Sequence, residues 1–491
     1  MNTPATPKNT VISVDSHSSL ATTSAEARVS SPIDMFFAMG GVNLAVTNLG
    51  GGALGILLGL SLRDVVLVYL IGGALGATLI GLCVVQAKRT GASVMINSRP
   101  AFGYMANRAL TVLAFLMTAC WFGVNNYFGV TSARSIVMRF GVPGGKRTDL
   151  IILLVVMSIL VLIAIFGYVL IIRYQRLTVL AMGFAILAIS IGTLTTGEID
   201  WNGAGALTGS ERLAAIVTLM AALGVGWAVS WTPYSYDFGR FLKMESSELW
   251  SWFFGWLGMF VVGGITFSVS AAITSFAGSG FDVGRTVEAV LPMGLSLIVL
   301  LVMVIGLLPA NLANLLVGPA MLETLDLKLS RVVAVLATAL CGLPIAVSAI
   351  YVSSFGGLFE RWMLSLGTWL GPWITIVLID FYIVSRGRYT KKDLYSKTHG
   401  SGGAFFVPGI VAWFGGLVGA LLFANIPVFE SPIMREYFAN ADASLFAGSI
   451  VAGLIYYPWA THDKRKRSKR LSSDHGPIAG IQSEVMETPG T

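Results

Sequence analysis

The sequence predicts an all-α integral membrane protein of about twelve transmembrane helices, and three observations carry that prediction. Of its 491 residues 55% are hydrophobic and only 12% charged, at a mean hydropathy of +0.77, whereas a soluble globular chain carries about 25% charged residues. Apolar runs recur along the whole chain, each near the ~20 residues that cross a bilayer core as a helix. The runs are long and do not alternate between apolar and polar residues, which excludes a transmembrane barrel.

The runs lie near 35–60, 65–85, 108–136, 149–169, 176–196, 212–235, 248–276, 292–319, 331–350, 362–384, 404–424 and 441–460. Three regions follow. Residues 1–34, rich in Ser, Thr and Pro, read as a disordered N-terminal tail, 35–460 as the membrane domain, and 461–491 as a basic, disordered C-terminal tail. Cys83, Cys120 and Cys341 all fall in apolar runs, so they imply no disulfide framework.

Basic residues set the orientation, because Lys and Arg are retained on the cytoplasmic side. With both termini inside, the cytoplasmic segments hold about 23 Lys and Arg against 8 outside. The stretch Arg134 to Arg147 runs against the rule, so the sum decides. The cluster from Lys464 to Arg470 follows the last run directly and reads as a topology anchor on anionic lipid, with no nucleic-acid partner needed for the net charge of +7.

Enzyme chemistry has little to work with here. His17, His399, His462 and His475 lie in tails or loops, and no His-Glu-x-x-His pattern or intramembrane carboxylate pair occurs. Within the runs stand Gly, Trp, Asn and Ser at places where a helix is expected to break. That inventory suits recognition of a neutral, planar, hydrogen-bonding solute.

The first run reads Met39-Gly40-Gly41-Val42-Asn43-Leu44, then Thr47-Asn48-Leu49-Gly50-Gly51. Two Asn inside a span are costly unless they face a cavity or another helix. A break is expected over Gly40 to Leu44, where unwound carbonyls can ligate a cation or solute. Gly51, Gly55 and Gly59 read as a small-residue packing stripe.

In the third run Trp121 and Asn125 are four apart and share one helix face. A stacking ring with an amide one turn away makes half a pocket for a base, although Asn125 also suits inter-helix bonding. The sixth run contains Gly224-Val225-Gly226-Trp227 and Ser230-Trp231-Thr232-Pro233. Pro233 predicts a kink or break just before it, with Trp227 and Trp231 as stacking faces and Ser230 as donor and acceptor. Asp237 follows, with Arg240 one turn on as a potential ion-pair partner. In the eighth run Asn311 and Asn314 are three apart between Pro309 and Pro319, either reading a base edge or capping proline kinks.

These strings, in this order, resemble the nucleobase–cation symporter family of the first class, and within it the purine–cytosine permease branch. Trp231-Thr232-Pro233-Tyr234-Ser235-Tyr236-Asp237-Phe238-Gly239-Arg240 is similar to that branch's sixth-span signature. Ser98-Arg99-Pro100-Ala101-Phe102-Gly103 resembles the loop after the second span, and Trp121-Phe122-Gly123-Val124 the third-span motif. Gly371-Pro372 through Asp380-Phe381-Tyr382, then Arg386-Gly387-Arg388-Tyr389, is similar to the tenth-span ending. The resemblance covers about 34–390.

It implies a five-plus-five inverted repeat with broken helices one and six, plus two extra helices, and a site between helices one, three, six and eight. Carried over, Trp121 would stack on one face of a base and Trp227 or Trp231 on the other. Ser230, Asn311 and Asn314 would read its edge, with Asn43 beside the first break. The implied protein is a plasma-membrane carrier without cofactor that imports a purine, pyrimidine or related flat heterocycle with a cation. Sodium-coupled members place paired hydroxyls on helix eight, yet no Ser or Thr stands between Leu300 and Met321. A proton is therefore the expected coupling ion ahead of sodium, with Gly40, Asn43, Asp237 and Glu323 as candidate coupling residues.

Overall fold

Pro32 at the first helical position, with Ser31 and Asp34 bonded reciprocally across the first turn, starts α1 (Pro32–Asn43). This computed structural model describes residues 22–474 except 167, 197–198, 204, 353–354, 399 and 427–428, and leaves out the side chains of 166–176, 309, 355–358 and 465–474. The chain turns at Leu44 and Ala45 and resumes as α2 (Val46–Gly51) and α3 (Leu54–Leu57), bent by 55° from α1. The break thus falls at the end of the predicted stretch. Gly40 and Gly41 stay helical, and the Gly40 carbonyl accepts the Leu44 N–H at 3.0 Å, so it is not a free cation ligand.

Next come α4 (Leu62–Thr90), α5 (Val94–Phe102), α6 (Ala106–Arg139), α7 (Lys146–Phe166) and α8 (Tyr168–Thr195). Then α9 (Gly209–Leu219) passes through a π-helical turn, Met220–Gly224, into α10 (Val225–Gly239). A second π-helical turn, Gly258–Val262, joins α11 (Glu248–Leu257) to α12 (Gly263–Ala277). Short α13 (Val283–Glu288) precedes α14 (Met293–Ile305), which meets α15 (Leu307–Thr324) at Gly306. α16 (Arg331–Tyr351) and α17 (Phe355–Leu378) follow, the latter ending in a π-helical turn, Ile379–Val384. The chain closes with α18 (Lys391–Tyr395), α19 (Val407–Leu422), an antiparallel pair β1 (Asn425–Ile426) and β2 (Phe429–Glu430), α20 (Pro432–Tyr437) and α21 (Ser444–Asp474).

Among the described residues nine helices are long and apolar enough to cross a membrane, and the bent first pair makes a tenth. These match the first ten predicted runs. The eleventh run is the shorter apolar helix α19, and the twelfth opens α21.

The break predicted at Pro233 is not there. Pro233 sits inside continuous α10. Its missing N–H leaves the Val229 carbonyl without its helical donor, and the Thr232 hydroxyl supplies that bond at 2.7 Å. The irregularity lies two turns earlier, in the π-helical turn just before Trp227. Gly226 is required there, since a Cβ would stand 1.9 Å from the Ala221 carbonyl oxygen.

The described residues reach into both stretches that the sequence assigns to tails. Ser30 bridges Leu242 in parallel, its N–H on the Phe241 carbonyl at 3.0 Å. Arg28, 6% exposed, reaches the Lys88 carbonyl at 2.7 Å across Gly91, whose φ of +64° and missing side chain admit the guanidinium. Residues 1–21 and 475–491 lie outside the described residues, as do His17, His399 and His475. At the other end α21 continues to Asp474. Lys464, assigned from sequence to a lipid anchor, instead binds fully buried Asp380 at 2.6 Å, beside the hydroxyls of Tyr389 (2.7 Å) and Tyr456 (2.6 Å). A buried carboxylate needs this company, because its desolvation must be offset by charge and hydrogen bonds. The rest of the basic cluster, Arg465 to Arg470, has no described side chains.

The ion pairs sort by end. Arg89–Glu248, Arg108–Asp326, Lys397–Asp326 and Lys464–Asp380 join residues predicted to lie on one side. Arg134 with Asp149 and Asp282, Arg139–Glu288 and Arg212–Asp64 join residues predicted to lie on the other.

Candidate functional site

Four tryptophans from three helices meet in the core. Trp121 of α6 meets Trp227 of α10 edge-on at 5.3 Å and Trp362 of α17 edge-on at 4.5 Å. It lies nearly parallel to Trp231, at 6.4 Å between centroids and 29° between planes. Trp121, Trp227 and Trp231 are all 3% exposed or less, while Trp362 is half-buried. A flat ring inserted between two others needs a separation of about 7 Å, twice a carbon contact distance. The Trp121–Trp231 pair, at 6.4 Å between centroids, must open to admit one.

The two α10 tryptophans, equivalent by sequence, differ here. Trp227 donates its indole N–H to Asn43 Oδ1 at 3.0 Å, and its ring edge meets Phe267 of α12 at 5.1 Å. Trp231 leans on Tyr234 at 4.6 Å, and its buried Nε1 has no hydrogen-bond partner among the described residues. Trp227 therefore fastens α10 to the first-span break, while Trp231 presents a face and a free donor.

Around the rings stands a belt of buried amides. Asn43, at the end of α1, also donates to the Met39 carbonyl at 2.7 Å, and Asn48 Nδ2 reaches Asn43 Oδ1 at 3.1 Å. Thr47 donates to Asn125 Oδ1 at 2.5 Å, leaving Asn125 Nδ2 unpaired. Tyr234 donates to Asn314 Oδ1 at 2.5 Å, Asn314 Nδ2 lies 3.5 Å from Asn311 Oδ1, and Asn311 Nδ2 is unpaired. Ser230 spends its proton on the Trp227 carbonyl at 2.6 Å, which leaves only its lone pairs for a ligand. These bonds form three groups: Asn43 and Asn48 with Trp227, Asn125 with Thr47, and Asn311 and Asn314 with Tyr234.

Of the candidate coupling residues Asn43 belongs to this belt, while Asp237, Glu323 and Gly40 stand apart from it. Asp237 lies at the end of α10 with Arg240 Nε 3.6 Å from its Oδ1, the ion pair considered from sequence. Glu323 is half-buried near the end of α15. Gly40 packs against the second π-helical turn, where a Cβ would lie 3.2 Å from a Val262 methyl.

Sequence reasoning missed Trp362, Tyr234, Thr47 and Asn48 as partners in the site. Trp362 stands in an apolar run with no polar neighbour to mark it. Thr47 and Asn48 follow the break within a few residues, and that position was the available signal.

A broken first span held against a π-interrupted span, with rings and buried amides at their junction, defines a membrane transport protein. The comparisons with known proteins agree. The family profile described as "Permease for cytosine/purines, uracil, thiamine, allantoin" matches residues 22–443, and the chain belongs to that family, the nucleobase–cation symporters, in its purine–cytosine permease branch.

The chain is 24% identical over 456 residues to YxlA of Bacillus subtilis (strain 168), covering 90% of this chain and 95% of that protein. It is 22% identical over 377 residues to the purine-cytosine permease fcyB of Emericella nidulans, covering 74% of this chain and 72% of the other. Among solved structures, Mhp1, a nucleobase-cation-symport-1 transporter closed around bromovinylhydantoin, superposes with a TM-score of 0.73 at 17% identity, over 91% of this chain and 96% of that one. Its inward-facing conformation gives a TM-score of 0.74 at 18% identity, over 92% and 94%. At these identities the structural likeness speaks for the fold alone. The relatives are permeases and not enzymes, and the chain is a multi-pass membrane protein.

Proposed function

We propose that the protein is a secondary carrier that imports a purine or pyrimidine base, or a flat heterocycle close to one, by alternating access coupled to a cation. The observation that carries this reading is the near-parallel Trp121–Trp231 pair at 6.4 Å, ringed by buried amides. Two indole faces favour a flat π system, and amides satisfy its polar edge. In this reading Trp121 and Trp231 sandwich the ring, Asn125, Asn311 and Asn314 read its edge, and Trp227 with Asn43 couples the site to the first-span break. A proton is the coupling ion, because α15 offers no hydroxyl between Leu307 and Met321 to ligate sodium. Both termini lie in the cytoplasm of a plasma-membrane carrier, following the excess of basic residues on that side.

The test is uptake of radiolabelled cytosine, adenine, hypoxanthine, uracil and allantoin in cells lacking their own carriers. Accumulation of one of these that Trp121→Ala abolishes supports the reading. A correctly inserted protein that moves none of them rejects it and directs the search to vitamins and other heterocycles.

A further inference from the structure

The hydrogen-bonding groups left open at the ring cluster are unequal in kind. Three buried N–H donors have no partner among the described residues: Trp231 Nε1, Asn125 Nδ2 and Asn311 Nδ2. Their residues are 3%, 2% and 0% exposed, so bulk solvent does not reach them.

The acceptors beside them are mostly taken. Asn43 Oδ1 is held by Trp227 and Asn48, Asn125 Oδ1 by Thr47, and Asn314 Oδ1 by Tyr234. Asn311 Oδ1 faces Asn314 Nδ2. Of these amide oxygens Asn48 Oδ1, on the Trp227 side with Asn43, has no partner among the described residues, and the same holds for Asn126 Oδ1, one residue on from Asn125. The Ser230 lone pairs are a further opening, since its proton goes to a backbone carbonyl.

We infer that the site selects rings whose edge carries carbonyl oxygens around ring N–H groups, as in a lactam, imide or ureide, over the same rings bearing an exocyclic amino group. The inference rests on the reading of this cluster as a heterocycle site and names the class of heterocycle within it. Carbonyl oxygens accept from the three open donors, and a ring N–H finds Asn48 Oδ1 or Ser230. An amino group in place of a carbonyl turns an accepting position into a donating one. It then faces an N–H across a dry contact, and both groups lose a hydrogen bond. A buried donor without a partner is costly enough to lower affinity by about tenfold or more.

Trp231 anchors the argument, because an indole nitrogen has only one hydrogen-bonding role. The Asn311 donor rests on the order in which Tyr234 donates to Asn314 Oδ1 and Asn314 Nδ2 faces Asn311 Oδ1.

The experiment uses matched pairs on the purified full-length protein in lipid nanodiscs, with binding read by radioligand competition. Uracil and cytosine differ in one oxo-for-amino exchange that also turns the adjoining ring N–H into an accepting nitrogen, as do hypoxanthine and adenine. The expected result is tighter binding of the oxo member of whichever pair fits, by about tenfold. Trp231→Phe, which keeps a ring and removes the donor, is expected to narrow that gap to within about threefold, chiefly by weakening the oxo ring. Asn311→Asp, which replaces a donor by an acceptor, is expected to shift preference toward the amino ring and serves if the first variant does not fold. Equal or tighter binding of the amino member by the unaltered protein overturns the inference while leaving the carrier reading intact. A preference unchanged in both variants overturns the assignment to these donors. Failure of both pairs to bind removes the heterocycle site itself, and the inference with it.

Discussion

Trp227 donates its indole N–H to Asn43 Oδ1 at 3.0 Å, and this bond fastens α10 to the end of α1 where the first span breaks. Its ring meets Trp121 at 5.3 Å without lying parallel to it. The residue therefore links the two irregular helices more than it offers a stacking face.

Trp227→Phe keeps the ring contacts and removes the bond. Asn43 Oδ1 still accepts from Asn48 at 3.1 Å, so the expected cost to stability is about 1 kcal/mol. Ligand affinity should stay within about threefold of the unaltered value, because a ring still fills the place of the indole. The uptake rate should fall further than that, since the coupling between the helices is what has been cut. Parallel binding and initial-rate measurements separate the two. A loss of binding as complete as that of Trp121→Ala would instead make Trp227 a stacking face.

Thr232 allows Pro233 to stand inside a helix. Its hydroxyl takes the Val229 carbonyl at 2.7 Å in place of the absent backbone N–H. Thr232→Val matches its shape and removes that donor, leaving a buried carbonyl without its bond. The expected loss is about 1–3 kcal/mol, read as a lower unfolding temperature in detergent, with Thr232→Ser restoring most of it. An unchanged melting temperature in Thr232→Val would show that the carbonyl is satisfied some other way.

The contrast between Pro233 and the first span shows what was legible in the sequence. Hydrophobic runs fix the spans because each helix must satisfy its own backbone in lipid, and the described helices follow them. The break after Asn43 was readable from glycines and asparagines in one apolar stretch. Pro233 misled because its local rule was offset by the neighbouring Thr232, while the true irregularity at Met220–Gly224 carries no proline. Of the residues in the candidate site, Trp121, Asn125, Trp231, Asn311 and Asn314 stood out in the sequence by type and spacing. Which tryptophan lies parallel to Trp121 depends on side-chain packing across three helices, and no spacing rule encodes that. Lys464 misled for a similar reason, since its partner Asp380 is 84 positions away.

Asp237 is the carboxylate on the ring-bearing helix, and Arg240 Nε stands 3.6 Å from its Oδ1. If it carries the coupling proton, Asp237→Asn should abolish accumulation against a gradient while leaving exchange of labelled for unlabelled ligand across the membrane. Uptake by the unaltered protein should survive replacement of sodium by choline and collapse with a proton uncoupler. Accumulation that requires sodium and ignores the uncoupler would place the coupling elsewhere, with Asn43 and the first-span break as the next place to look.

Asp326 supplies a test of pH dependence outside the membrane spans. It follows α15 and accepts from the Tyr104 hydroxyl at 2.5 Å, with Lys397 at 3.3 Å and Arg108 at 3.4 Å. The Tyr104 hydrogen bond first, then the Lys397 and Arg108 charges, hold its carboxyl below the ordinary aspartate value. A folded-state pKa below the unfolded one means that the ionised group stabilises the fold. That contribution is complete above the ordinary value of about 3.9 and is lost as pH falls through the lowered one. Tyr104→Phe removes the largest cause and brings the folded pKa back toward the ordinary value, so the acid-side loss of thermal stability should become shallower and be complete at a higher pH. Asp326→Asn should flatten that limb, and it adds no backbone strain, since Asp326 has a φ of +61° and Asn tolerates the left-handed region. Melting temperatures of the three proteins from pH 3 to 6 decide the matter, and identical acid limbs would mean that the Tyr104–Asp326 bond does not form in solution.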